Sequence, residues 1–291
     1  MHAKRCIENI SIHIFFHAMN FVEEMFYAHL KIKLLMAPVT FTTDLGSRDF
    51  YLAALKGAII SQCETVVPFI DISNHVKSFD IKEAAFIISN AYKYFPKGTI
   101  HVLHVNTNGG DGKLLLSVID GHYFITFNNG ILSIAFNKVP HEVYEVNAEL
   151  TENHSLLFED AIGKVINFLL KEYKPSDFAH LTTATVNLRL LQPATSAGII
   201  RGSVVYIDDY GNAVTNISKR VFGEFIGERN CMIEMNQGDS ISIFKHYNEV
   251  EEGEIVSLFN QSGFLEIAIN KGNAKKLLDI KVGSQVMVSV K

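Results

Sequence analysis

The sequence has few cysteines, no run of Lys or Arg and no apolar stretch of membrane length, and each lack closes off a class of protein. Its three cysteines, Cys6, Cys63 and Cys231, are widely spaced and form no C-x-x-C or zinc-ligand pattern. That argues against a disulfide framework or a metal site and for the cytoplasm. A formal net charge of −5 without a basic run leaves no electrostatic footprint for nucleic acid. The opening segment is apolar around Ile10 to Phe16, but His13, His17, Glu23 and Glu24 interrupt it. It falls short of the ~20 apolar residues that span a membrane, and it has no small-residue cleavage signature. No internal repeat or low-complexity tract is visible either. A small-molecule ligand, with no metal and no separate cofactor, is the expectation that remains.

What is present supports a large core: 291 residues, 48% of them hydrophobic, suffice for one large or two ordinary domains. Residues 1–36 are expected as an N-terminal extension, with Met36 as an alternative start. The competing reading is an amphipathic helix that packs through Phe15, Phe16, Met19 and Phe26. From Val39 the pattern alternates strand 39–42, helix 49–62, strand 66–70, helix 80–95 and strand 100–105, then strands 114–119, 122–126 and 131–136 and a helix over 155–172. Such alternation predicts an α/β domain, residues 37–191, around a mostly parallel sheet. Asp120-Gly121 is a hairpin signal between two of those strands. Residues 192–198, QPATSAG, read as a linker. Beyond them the helical pattern gives way to short strands at 203–207, 230–234, 241–244, 254–259, 264–269 and 285–290, which predicts a smaller all-β, barrel-like domain over 199–291.

The most informative segment is Val39 to Gly57, VTFTTDLGSRDFYLAALKG, where an apolar strand, read as a sheet edge, runs into an acidic turn and then a helix. Carboxylates at the carboxyl end of such a strand stand where open α/β sheets bind ligands. Asp44 is the leading binding residue, able to accept bonds from both hydroxyls of a ribose; helix capping is its structural alternative. Ser47 is an expected N-cap, and Asp49 is a second candidate for capping or for binding an ammonium group. In FIDISNHVKSFDIKEAAF, Phe69 to Phe86, a strand ending at Asp71 leads to a loop with Asn74, His75, Ser78 and Phe79, and Asp80 with Glu83 reads as a helix cap. His75 is a candidate base or a loop-stabilising residue. GTIHVLHVNTNGGDG, Gly98 to Gly112, is a buried strand ending in a Gly-rich turn that lets backbone approach a ligand, although it is neither a dinucleotide fingerprint nor a Walker loop. GSVVYIDDYGNAVTNI, Gly202 to Ile217, crowds Asp208, Asp209, Asn212 and Asn216 around one turn. An Asn amide has one donor and one acceptor face, which matches the edge of adenine.

As an ordered set these segments resemble the S-adenosylmethionine hydroxide adenosyltransferase family, which is related to the fluorinases and chlorinases. The resemblance spans about residues 37–291 and rests on TFTTDLGSRDFYLAALKG, DISNHVKSFDIKEAAF, PKGTIHV, NNGIL, YIDDYGNAVTNI and GFLEIAINKGNA. It implies an α/β domain, a β-barrel-like domain and a homotrimer whose ligand lies between the first domain of one subunit and the second of the next. By motif, Asp44 would hold the ribose, and Asp49, Asp208 and Ser262 the methionine moiety. Asn212 would read the adenine edge, Tyr247 would stack on the ring, and Phe79 joins the substrate-binding set. The implied reaction is attack at the ribose C5′, where the sulfonium is already a good leaving group and the protein's task is to align and desolvate a nucleophile.

The resemblance breaks where the nucleophile would be managed. Asn106 stands where the family has its hydrolytic Asp, and Lys113 or Leu114 where it has an Arg. Leu157 stands where the family has a His, with His154 nearby, and of that segment only Asp160 matches. The halogenases' halide-binding Ser is replaced by Phe158, which argues against a halogenase. Asn106, Thr107 and Lys113 are therefore the candidate water-positioning residues, although an amide orients water without taking its proton. The expected function is hydrolysis of S-adenosylmethionine, with an inactive binding homologue, a sensor or assembly subunit, as the alternative.

Overall fold

The computed structural model describes residues 37–151, 158–235 and 240–291, so the expected extension 1–36, His154 and Leu157 lie outside the described residues. The chain divides into two compact units, Met1–Asn187 and Leu188–Lys291.

In the first unit, β1 (Val39–Thr43), β2 (Phe69–Ser73), β3 (Ile100–His104) and β5 (His122–Phe127) run parallel in the order β2-β1-β3-β5. β4 (Leu114–Ile119), β6 (Val143–Val146) and β7 (Ala179–Leu181) extend the sheet antiparallel. β1 is an interior strand and not the expected edge, and β2 is the edge. All five residues of β1 are buried, because neighbouring strands take its backbone on both sides and helices cover both faces. On one face α1 (Tyr51–Gln62) packs against α5 (Phe158–Leu170), and Leu55, Ile59, Val165 and Ile166 close over Val39, Phe41, Val102 and Ile125. The other face carries α2 (Ile81–Ala91), which packs on α3 (Ile131–Ala135). A further short α-helix, α4 (Ala148–Thr151), precedes α5.

Two sequence expectations in this unit are corrected. The expected strand 131–136 is helix α3: Gly130 turns the chain at φ 92°, Asn129 Oδ1 accepts the Ile131 N–H at 3.2 Å, and Ser133 Oγ donates to the Gly130 carbonyl at 2.8 Å. Those local bonds divert an apolar run that by composition suits a strand. The expected Ser47 cap is not made either. Phe50 takes the N-cap position of α1 with no side-chain bond, and Ser47 Oγ pairs with His75 Nε2 at 3.3 Å. The Asp80 cap is present, with the carboxylate accepting the Lys82 and Glu83 N–H groups. The hairpin is present too: Asp120 and Gly121 both have positive φ between antiparallel β4 and β5.

The second unit is a curled antiparallel sheet in the order β12-β11-β15-β9-β10-β14-β13, comprising β9 (Ile199–Ile207), β10 (Ala213–Ser218), β11 (Cys231–Met235), β12 (Ser240–Ile241), β13 (Ile255–Phe259), β14 (Phe264–Ile269) and β15 (Gln285–Val290). An isolated bridge between Ile243 and Ser257, with the Phe244 N–H on the Ser257 carbonyl at 2.8 Å, draws its two ends together around Ile200, Ile217, Leu265 and Ile267. Within the expected linker, β8 (Ala194–Ser196) pairs with β9. Helix is not absent here as expected: α6 (Lys219–Phe225) and α7 (Ala274–Leu277) start where Ser218 Oγ accepts the Val221 N–H and Asn273 accepts the Lys276 N–H.

Candidate active site

The parallel strands β2, β1, β3 and β5 all end on one edge of the first sheet, and the polar residues gather there. From β1 the chain passes to β2 on one side and later to β3 on the other, so the β1/β3 boundary is the topological switch point where open α/β sheets take ligands. Asp44 stands at that boundary. Its Oδ2 accepts the Phe79 N–H at 2.9 Å and the Asn106 N–H at 3.3 Å. Both donors belong to non-glycine residues with positive φ, 67° at Phe79 and 49° at Asn106, a conformation that costs free energy unless the surroundings impose it. The two amides fix one carboxylate oxygen; the other, Oδ1, accepts no protein hydrogen bond among the described residues. Asp44 therefore anchors two loops and does not cap α1.

Buried asparagines hold the surrounding loops. Thr43 Oγ1 donates to Asn74 Oδ1 at 3.1 Å, and the Asn74 carbonyl accepts the Gly46 N–H at 2.7 Å. Asn129 donates to the carbonyls of Val105 at 2.9 Å and Asn106 at 3.2 Å, while Asn128 bonds Asp111 and the backbone of Ala184 and Val186. In the Gly-rich turn a Cβ on Gly110 would stand 2.0 Å from the Asn128 carbonyl oxygen, so backbone lies on backbone there. Asp71 lies within β2, two residues before its end; burial would raise its carboxyl, but bonds from Lys56 and Asn74 and the Lys56 charge hold it below the usual range.

Asp44, Phe79 and Asn106 thus come together; Thr107 follows in the turn, half-buried and without a hydrogen bond among the described residues. Lys113 does not join them: its ammonium pairs with Glu145 of β6 at 2.9 Å, which raises its pKa. Asp49 is exposed on the approach to α1. Among the described residues no group of three or more His, Cys, Asp or Glu side chains could hold a metal.

The second unit holds its candidates in two linked groups. Asp208 accepts the Asn212 N–H at 2.8 Å and a side-chain N–H from its Nδ2 at 3.0 Å, so the turn takes one of the two donors of the Asn212 amide and orients the rest. Tyr247 donates to Glu266 Oε1 at 2.5 Å, and Asn260 Nδ2 donates to Glu266 Oε2 at 3.0 Å. Asn260 Oδ1 in turn accepts the Ser262 and Phe264 N–H groups. Burial, the bond to Glu266 and the charges of Glu266 and Asp208 push the Tyr247 phenol well above its ordinary pKa. Glu266, only 4% exposed, therefore ties Tyr247 to the Ser262 turn. Sequence reasoning missed Glu266 and Asn260; the one signal was a Glu set in the otherwise apolar strand FLEIAI.

An anchored carboxylate at the switch point of a parallel sheet, followed by a separate antiparallel β unit, defines an α/β ligand-binding protein without a dinucleotide or Walker loop. More specifically, the chain belongs to the SAM hydroxide adenosyltransferase family: residues 39–178 match its N-terminal domain and 202–287 its C-terminal domain. It is 27% identical to an (R)-S-adenosyl-L-methionine hydrolase of Methanocaldococcus jannaschii over 83% of this chain and 92% of that protein. It is 24% identical to one of Thermus thermophilus over 86% and 99%. A crystal structure of an uncharacterized conserved protein from Thermotoga maritima shares the fold, with a TM-score of 0.77 and 24% identity over 86% of this chain and 99% of that one.

Proposed function

We propose that this protein hydrolyses S-adenosylmethionine to adenosine and methionine, acting in the cytoplasm. The observation that carries the reading is Asp44, whose Oδ2 is held by two backbone amides while Oδ1 is left for the hydroxyls of a ribose. Family membership, and relatives named as hydrolases, support the same substrate. In this reading Asp49, Asp208 and Ser262 engage the methionine moiety, Asn212 and Tyr247 the adenine, and Phe79 covers the ribose. A homotrimer would bring the second-unit residues of one copy to Asp44 of another. Water attacks C5′ as the C5′–S bond breaks; the electron pair stays on sulfur, which leaves as the neutral thioether of methionine. Asn106 and Thr107 orient the water.

A second reading, binding without turnover, is favoured by Asn106, whose amide cannot take a proton, and by the engagement of Lys113 with Glu145. Incubation with S-adenosylmethionine, with adenosine and methionine followed by chromatography beside calorimetric titration, separates the two. Product above the spontaneous background supports hydrolysis, whereas binding without product supports the second reading. Asn106→Asp is expected to raise turnover. Light scattering that returns a monomer would remove the trimer.

A further inference from the structure

The hydrolysis proposed above requires a proton acceptor that neither Asn106 nor Lys113 supplies, and one imidazole beside Asp44 has no visible structural task. His104 ends β3, is 7% exposed, and its Nδ1 is one of two buried side-chain polar atoms, with Thr42 Oγ1, that have no hydrogen-bond partner among the described residues. An unpaired interior polar atom costs roughly 1–3 kcal/mol, so one at a ligand edge asks for an explanation. The backbone around it belongs to the site: its carbonyl accepts the Asp44 N–H at 3.4 Å, and Asn106 follows two residues later. Its ring meets Phe127 edge-on at 5.8 Å, and Phe127 meets Phe158, the first residue of α5, at 4.9 Å. Among the described residues, the charges acting on it are Glu159 from α5 and Asp44 from the end of β1. Burial lowers the pKa of the ring and outweighs the upward pull of Glu159, Asp44 and a bond to its own backbone, so at neutral pH the ring is uncharged and, in the Nε2–H tautomer, carries its lone pair on Nδ1.

We propose that His104 Nδ1 is the acceptor for the attacking water's proton, in the role that a carboxylate at position 106 would otherwise fill. The inference rests on the hydrolase reading. As the O–C5′ bond forms and the C5′–S bond breaks, one proton of the water passes to Nδ1 and from there to solvent; the other remains on the adenosine hydroxyl. The products are adenosine, neutral methionine thioether and one proton, so charge and atoms balance. The hydrogen bond missing at Nδ1 is the one that a water arriving with the ligand would make.

The test is kcat and KM for S-adenosylmethionine across pH 5.5–9 in the full-length protein and in His104→Phe and His104→Gln. Phe keeps the packing against Phe127, and Gln keeps a polar group that cannot take a proton. The expected result is a kcat lower by about 100-fold or more in both with KM within about twofold, and a loss of activity below pH 6.5 that is present in the wild type and absent from the residual activity of the variants. Either folded variant suffices. Wild-type kcat and pH profile in a variant overturn the role of His104 while leaving the hydrolase reading standing. A wild-type protein that binds substrate but forms no adenosine overturns both.

Discussion

The two ends of the first sheet bury histidines in opposite ways. At the amino end of β3 and β5, both ring nitrogens of His101 are paired: Thr40 Oγ1 lies 2.7 Å from Nδ1, and Nε2 lies 3.2 Å from His122 Nδ1. Tyr92 stacks edge-on over His122 at 5.4 Å and donates its hydroxyl to Asp120 at 2.8 Å. At the carboxyl end of the same strand, His104 is also buried, but its Nδ1 has no hydrogen-bond partner among the described residues, and the ring feels the charge of Asp44. Both rings cost desolvation. One recovers it within the fold and the other does not, which separates a polar pair that holds a sheet together from a polar group held ready for something else.

That contrast can be broken or sharpened by experiment. The largest effect is expected at the ligand end: Asp44→Ala should weaken S-adenosylmethionine binding by roughly 100-fold, because each bond to a charged acceptor contributes about 1.5–3 kcal/mol. Calorimetric titration measures it, and unchanged affinity would remove Asp44 from the site. At the other end, His101→Leu should leave binding unchanged yet lower unfolding stability by about 1–3 kcal/mol, since Thr40 and His122 each lose a partner. A denaturant titration run beside the calorimetry reports both.

The acid response belongs to the same pair. Burial, then the neighbouring His122, lowers the His101 pKa from 6.5 to about 3, so below pH 6.5 the unfolded chain takes a proton that the folded chain refuses. Stability from this group is complete above pH 6.5 and falls by about 1.4 kcal/mol per unit between there and about 3. Urea midpoints at successive pH values should fall less steeply with acid in His101→Leu than in the wild type, the difference being the share of His101, while His104 and His122 keep theirs. The smallest effect is expected at Asp80→Ala, which removes a cap worth about 1 kcal/mol without altering substrate KM.

Much of this was legible in the sequence for physical reasons that operate over a few residues. The apolar runs of β1 and β3, the Asp120-Gly121 turn and the Asp80 cap are each decided by neighbours in the chain. The misses were decided by distant partners or by bonds that outvote composition. Residues 131–135 are apolar enough for a strand, but Asn129 and Ser133 wind them into a helix. For Asp44 the sequence favoured binding but left capping as an alternative, which the N–H bonds from Phe79 and Asn106, 35 and 62 positions away, remove. His104 is invisible in the alternation of IHVLHV, because nothing there distinguishes a bonded imidazole from an unbonded one.

The close approach of Gly110 to the Asn128 carbonyl carries a consequence for anyone who would retune this site. Selection for faster turnover from a library randomised over residues 106–113 has freedom at Asn108, which is exposed and whose side chain makes no hydrogen bond among the described residues. At 110 it has none, since any side chain collides with the end of β5 and the φ of 87° penalises all but glycine. Variants that survive should all keep glycine at 110, a position that carries no chemistry at all.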